Sequence, residues 1–135
     1  MSLTEPSSDF LKGLEALLGP QGWRAPEDAP EKFEEPRGQW KGQGALVVRP
    51  DTAEEVAEVL KRAAAARVGV VPHSGGTGLV GGQISPDGPT PLLLSMDRMN
   101  RIRDVDATDN VLTAEAGVIL ADIQTAAEGV DRLFP

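Results

Sequence analysis

The residues of this chain whose types and spacing can do chemistry lie together in His73-Ser74-Gly75-Gly76-Thr77-Gly78-Leu79-Val80-Gly81-Gly82, where five of ten residues are glycine. They follow an apolar run, Val68-Gly69-Val70-Val71-Pro72, that reads as a strand. Glycines after a strand permit positive φ angles and let a ligand reach the backbone closely. From Val68 to Ser95 there is no lysine or arginine, and Asp87 is the only formal charge. A phosphate bound here must therefore be held by amide N–H groups and by the hydroxyls of Ser74 and Thr77. A dinucleotide pyrophosphate suits such a surface. A flexible surface loop with no ligand has the same composition, so spacing alone leaves both readings open.

Two known phosphate motifs fail. Gly76 to Gly81 fits GxGxxG, with Asp97 about 20 residues on, but that fingerprint requires a helix to open inside it. Gly82, Pro86, Gly88 and Pro89 forbid one. The P-loop pattern is excluded because the chain has no Gly-Lys-Ser/Thr. His73 is the only histidine and there is no cysteine, which removes a disulfide framework, a thiol nucleophile and thiolate or multi-histidine metal sites. No metal site is expected. His73 as a lone catalytic base is the weaker reading; beside a pyrophosphate it lines the loop or donates one hydrogen bond. Thirteen basic against 21 acidic residues give a net charge of −8, and no basic patch speaks for nucleic acid. No apolar run reaches the ~18 residues of a membrane span. Met1 to Pro6 lack the regions of a signal peptide, so a cytoplasmic protein is expected.

The elements that must position the loop follow from periodicity. Residues 9–18 read as an amphipathic helix, with Ser7 or Ser8 as cap and Gly19-Pro20 as stop. Residues 20–44, cut by four prolines and four glycines, read as irregular. Trp23, Phe33 and Trp40 are expected to pin this arm to the body, with ligand stacking by Trp40 as the alternative. Residues 45–48 form an apolar strand, and Thr52-Ala53-Glu54-Glu55 a capping box that opens a helix to about Arg67. The unit through Val68–Pro72 predicts two parallel strands with a crossover helix. Residues 91–95 predict a third strand, 102–106 and 111–115 a hairpin, and the apolar spacing from Ile119 to Val130 a closing helix. The end at Leu133-Phe134-Pro135 is apolar, so the chain is expected to be the N-terminal piece of a longer protein.

With these segments in order, a resemblance emerges. Val71-Pro72-His73-Ser74-Gly75-Gly76-Thr77-Gly78-Leu79-Val80-Gly81-Gly82 closely resembles the flavin loop of FAD-linked oxidases of the vanillyl-alcohol oxidase superfamily, nearest to the D-lactate, glycolate and D-2-hydroxyglutarate dehydrogenases. Val47 to Val56, Leu94 to Ile102, Thr113 to Val118 and Leu133 to Pro135 resemble further landmarks in the same order, across residues 37–135. The resemblance implies an α/β (α+β) fold: the first subdomain of a PCMH-type FAD-binding domain, with a short parallel strand–helix–strand core plus an antiparallel hairpin. It divides the chain into an N-terminal helix and Pro/Gly-rich arm (1–44) and an incomplete FAD-binding domain (45–135).

The resemblance also implies roles. Amides of Ser74, Gly75, Gly76, Thr77 and Gly78, with neighbouring Leu79, would hold the FAD pyrophosphate. Pro72 and His73 would set the loop's entry, Gly81 and Gly82 its turn beneath the cofactor, and Gly117 and Val118 would touch another part of FAD. Some members tether the flavin through a histidine at the place of Thr77, and threonine cannot, so the FAD is expected to be non-covalent. Ser74 stands where glycine is common, so the first turn must avoid a positive φ or bear strain. No catalytic residue is expected in this chain. The parent would oxidise a small D-2-hydroxy acid, its partners being the rest of the FAD domain and a C-terminal substrate domain. The alternatives are an FAD-linked oxidase of sugars or aryl alcohols, or a non-catalytic binding module.

Overall fold

The computed structural model describes residues 2–135. Helix α1 spans Ser8–Leu18, and its N-terminus is capped by Ser7, whose hydroxyl accepts from the Phe10 amide at 3.2 Å. Gly19, at φ +68°, ends it. Strand β1 is the short Trp23–Arg24, followed by two 3-10 turns, Pro26–Asp28 and Pro30–Phe33. Strand β2, Leu46–Val48, leads into α2, Ala53–Ala66. Thr52 caps α2 by accepting from the Glu55 amide at 3.2 Å, but the Glu55 carboxylate reaches one residue further back, to the amide of Asp51 at 2.7 Å. The remaining strands are β3 (Val70–His73), β4 (Leu92–Ser95), β5 (Ile102–Asp106) and β6 (Val111–Ala114), and α3 is Leu120–Glu128.

Four strands make one sheet in the order β1-β2-β4-β3, and β5 and β6 form a separate antiparallel hairpin. β2 and β3 run parallel as the sequence predicts, yet they are not neighbours. β4 pairs parallel with both and lies between them. The reason is burial. All four residues of β4 are buried, so it needs a strand on each side and cover on each face. β3 carries Pro72, which cannot donate to a ladder and belongs on an edge.

Leu92 and Leu94 of β4 pack with Leu46, Val48, Leu14, Leu18, Val59 and Ala63 in the cluster under α1 and α2. Leu93 faces the other way and packs with Val47, Ala29 and Phe33. The stretch read as irregular from its prolines and glycines therefore has a defined task. It adds β1 antiparallel to β2 and lays its 3-10 turns over the second face of the sheet. Trp23 and Phe33 are packed in as expected, whereas Trp40 is 53% exposed.

Leu14 is fully buried between α1 and the sheet. Leu14→Ala is expected to cost about 2–5 kcal/mol of stability in urea unfolding, because the cavity cannot close against a sheet. Lys12→Ala, on the exposed side of α1, is expected to stay within about 0.5 kcal/mol of wild type.

Candidate functional site

The loop leaves the end of β3, where His73 is paired in register with Ser95 and its carbonyl accepts from the Met96 amide at 2.9 Å. Gly76 takes φ +67° and Gly81 φ +71°, while Ser74 stays out of the left-handed region, so the loop turns without straining its one non-glycine entry residue. Any Cβ at position 76 would sit 2.8 Å from His73 Nε2, which gives Gly76 two reasons to be glycine. Four of the loop's carbonyls, those of Gly76, Gly78, Leu79 and Gly81, are taken. Gln83 Nε2 donates to Gly76 O at 3.2 Å and to Gly78 O at 2.9 Å. Arg37, from the arm, donates to Leu79 O, and the Ile84 amide donates to Gly81 O at 3.0 Å. Its amides are not: among the described residues, no backbone N–H from Ser74 to Gly82 donates a hydrogen bond to the chain.

The second backbone segment comes alongside. Ser74 Oγ donates to Ala116 O, and the Gly117 amide donates to Met99 O at 2.8 Å. A Cβ on Gly117 would lie 1.9 Å from Met96 O, so only glycine lets the two backbones pass this closely. Between the segments lies a cleft of about 630 Å³. Ser74, Gly75, Thr77, Gly117 and Val118 line it, as do Asp97, Asn100 and Leu120. Pro72, Gly76, Gly78, Leu79 and Gly82 do not form its wall. Gly81 faces Trp40 in a shallower groove on another side of the loop.

His73 lies beneath the cleft rather than in it, only 8% exposed, and its Nδ1 has no hydrogen-bond partner. Burial, reinforced by nearby Lys32, lowers its pKa and favours the neutral ring. That placement counts against a base role for His73. Asp97, on the cleft wall, is burdened by partial burial, but Arg49 at 3.0 Å and Lys32 at 3.6 Å outweigh it and hold the carboxyl below its usual range. Glu115, buried where β6 ends, accepts from the side chain and amide of Arg101 and from Arg103, which brings its pKa to about 2. Gln83 and Arg37 escaped the sequence reading. Gln83 is visible in hindsight as the one amide side chain in the loop, but Arg37 is 42 residues from its partner and gave no signal.

A strand-ending glycine loop with free amides thus faces a second glycine backbone across a cleft, with no Rossmann helix between them. A family model described as an FAD binding domain matches residues 44–135, and the chain belongs to that family, in the PCMH-type, vanillyl-alcohol oxidase superfamily. It is 36% identical over 96 residues to a D-2-hydroxyglutarate dehydrogenase of Xanthomonas citri pv. viticola, covering 71% of this chain and 20% of that one. It is 28% identical over 112 residues to a D-2-hydroxyglutarate–pyruvate transhydrogenase of Saccharomyces cerevisiae, covering 83% and 22%. The chain thus spans about a fifth of the length of these relatives. Alkyldihydroxyacetonephosphate synthase shares the fold at a TM-score of 0.77 and 22% identity, over 95% of this chain and 28% of that one. p-Cresol methylhydroxylase does so at 0.73 and 19%, over 97% and 27%. Among the described residues no helix is long and apolar enough to cross a membrane.

The Glu115 ion pairs make a pH prediction. Its carboxyl titrates near 2 when folded against the ordinary 4.5, so between those values the unfolded chain takes up the extra proton. The contribution is complete above 4.5 and is lost as pH falls towards 2. Urea unfolding of wild type and Glu115→Gln is expected to show a stability gap near neutral pH that narrows steadily on acidification.

Proposed function

We propose that this chain holds the pyrophosphate of FAD, without a covalent bond, in a flavin-dependent dehydrogenase of small D-2-hydroxy acids of the D-2-hydroxyglutarate, D-lactate or glycolate type. The observation that carries the reading is the division of polar groups in the loop: four of its carbonyls are held from within the chain, whereas none of the amides from Ser74 to Gly82 donates within it and all are left to donate to a ligand. An anion bound by a row of backbone N–H groups needs no lysine.

The residues fit the cofactor. Ser74, Gly75 and Thr77 stand on the cleft wall with free amides, and no atom lies within 4 Å of where a Gly75 Cβ would be, so phosphate oxygens can come up to the backbone there. The amides of Gly76, Gly78 and Leu79, which lie off the cleft wall, extend the row beyond it; Pro72 and His73 set its entry, and Gly81 and Gly82 carry the chain out of it. Gly117 and Val118 form the opposite wall against another part of the dinucleotide. FAD, when bound, would supply the acceptor for the hydride, and so the two electrons, removed from the hydroxy acid. This chain binds and orients it and contributes no catalytic residue; the rest of the FAD domain and a C-terminal domain supply the substrate site. The arm of residues 1–44 braces the loop from behind, and residues 45–135 form the incomplete FAD unit. A cytoplasmic location belongs to the same proposal, and cell fractionation tests it. The curated relatives favour hydroxy acids over sugars or aryl alcohols, since their names carry D-2-hydroxyglutarate.

In the intact parent protein, Gly75→Val is expected to abolish FAD binding while leaving the melting temperature of the apoprotein unchanged, because the side chain enters empty space that the ligand needs. Thr77→Ala is expected to weaken FAD at most about tenfold, since it removes no more than one neutral hydrogen bond. Acid precipitation should leave the flavin in the supernatant. Stoichiometric FAD in Gly75→Val would refute the site. Turnover of sugars or aryl alcohols in place of D-2-hydroxy acids, followed with an artificial electron acceptor, would refute the substrate class.

A further inference from the structure

We propose that Gln83 is the positioning residue that sets the anion-binding form of the loop before any ligand arrives. This rests on the reading of the loop as a pyrophosphate site. The Gln83 carboxamide reaches back across its own turn and donates to two carbonyls on either side of Thr77, Gly76 O at 3.2 Å and Gly78 O at 2.9 Å. Two acceptor partners fix which end of the carboxamide is nitrogen. The backbone of the loop contains no cis peptide. In a trans peptide the C=O and the following N–H point in opposite directions. Drawing Gly76 O and Gly78 O onto Gln83 therefore turns the amides of Thr77 and Leu79 the other way, together. One side chain thus sets the direction of two loop amides, that of Thr77 on the cleft wall and that of Leu79 next to it.

The loop needs such a device. Gly76 and Gly78 precede these two peptides, and a peptide plane next to glycine rotates with less steric resistance than one between residues that both carry a Cβ. A flipped plane would present a carbonyl oxygen, with its partial negative charge, where an amide should meet an anion. No cation within the loop corrects that error, for it contains no lysine or arginine. Fixing the planes in advance removes an ordering cost that the ligand would otherwise bear, and so raises affinity without a contact of its own. Gln83 is half-buried and does not line the cleft, which separates this role from direct contact with the ligand.

The test uses the intact parent protein stripped of flavin, with FAD as the titrant and flavin fluorescence as the readout. Gln83→Leu keeps most of the volume and removes both hydrogen bonds, and is expected to weaken FAD on the order of ten- to a hundredfold. Gln83→Glu places a carboxylate against two carbonyl oxygens and should weaken FAD at least as much near pH 8. Part of that loss is expected to return towards pH 5, where the protonated carboxyl donates one bond again. A packing role would not move with pH. If both variants bind FAD as wild type does, or if the Gln83→Glu defect is the same at every pH, the positioning role is overturned. Gly75→Val run in parallel keeps the two readings apart. If it retains FAD, the site itself is wrong. If it loses FAD while the Gln83 variants do not, the site stands and only Gln83 is misassigned.

Discussion

A strand buried on both faces has to be covered twice, and β4 imposes that requirement on the whole molecule. Leu92 and Leu94 call for the helical layer of α1 and α2, and Leu93 calls for the arm. Because β4 sits between β2 and β3, its end and the end of β3 emerge side by side, and the glycine loop springs from one while Met96 to Met99 continue the other. The Gly117 backbone then packs on Met96 and Met99. One wall of the cleft thus leaves β3 and the other packs on the continuation of β4, where the first turn of α3 also borders it.

The charges around the cleft follow a consistent rule. Arg49 and Lys32 are engaged with Asp97, Arg101 and Arg103 with Glu115, and Arg37 with Glu35. Glu35 is itself almost fully buried; burial opposes its ionisation, but Arg37 and the amides of Gln39 and Arg37 outweigh that. The cations stabilise the frame rather than the ligand. On the proposed reading, recognition falls to neutral amides, which suits a chain of net charge −8, because backbone dipoles at close range do not depend on the long-range field.

Much of this was legible in the residues. The helix caps at Ser7 and Thr52, the hairpin turn at Asp106–Asn110 and the glycine loop all depend on local chemistry, and local chemistry is what a sequence displays. The rejection of a Rossmann helix from Pro86, Gly88 and Pro89 held for the same reason, since no helix starts in that loop. The insertion of β4 between β2 and β3 was not legible, because parallel neighbours are set by burial across the sheet and not by proximity along the chain. The arm was only partly legible: Pro26 and Pro30 read as interruptions, yet they begin the 3-10 turns that place Phe33 on the second face. The bonds from Arg37 and Gln83 were missed because long polar side chains choose partners that no periodicity announces.

The amides from Ser74 to Gly82 also determine how the protein meets heavy water. Lacking acceptors in the chain, they should trade hydrogen for deuterium on nearly the timescale of an unstructured peptide, while β2 and β4, locked in the ladder, exchange far more slowly. One short stretch of an otherwise slow sheet is therefore isotopically open. Its nine-residue span follows directly on the protected strand β3, so a proteolytic peptide that begins there carries the signal. Anything that occupies the row should slow that exchange, making the loop its own reporter of occupancy.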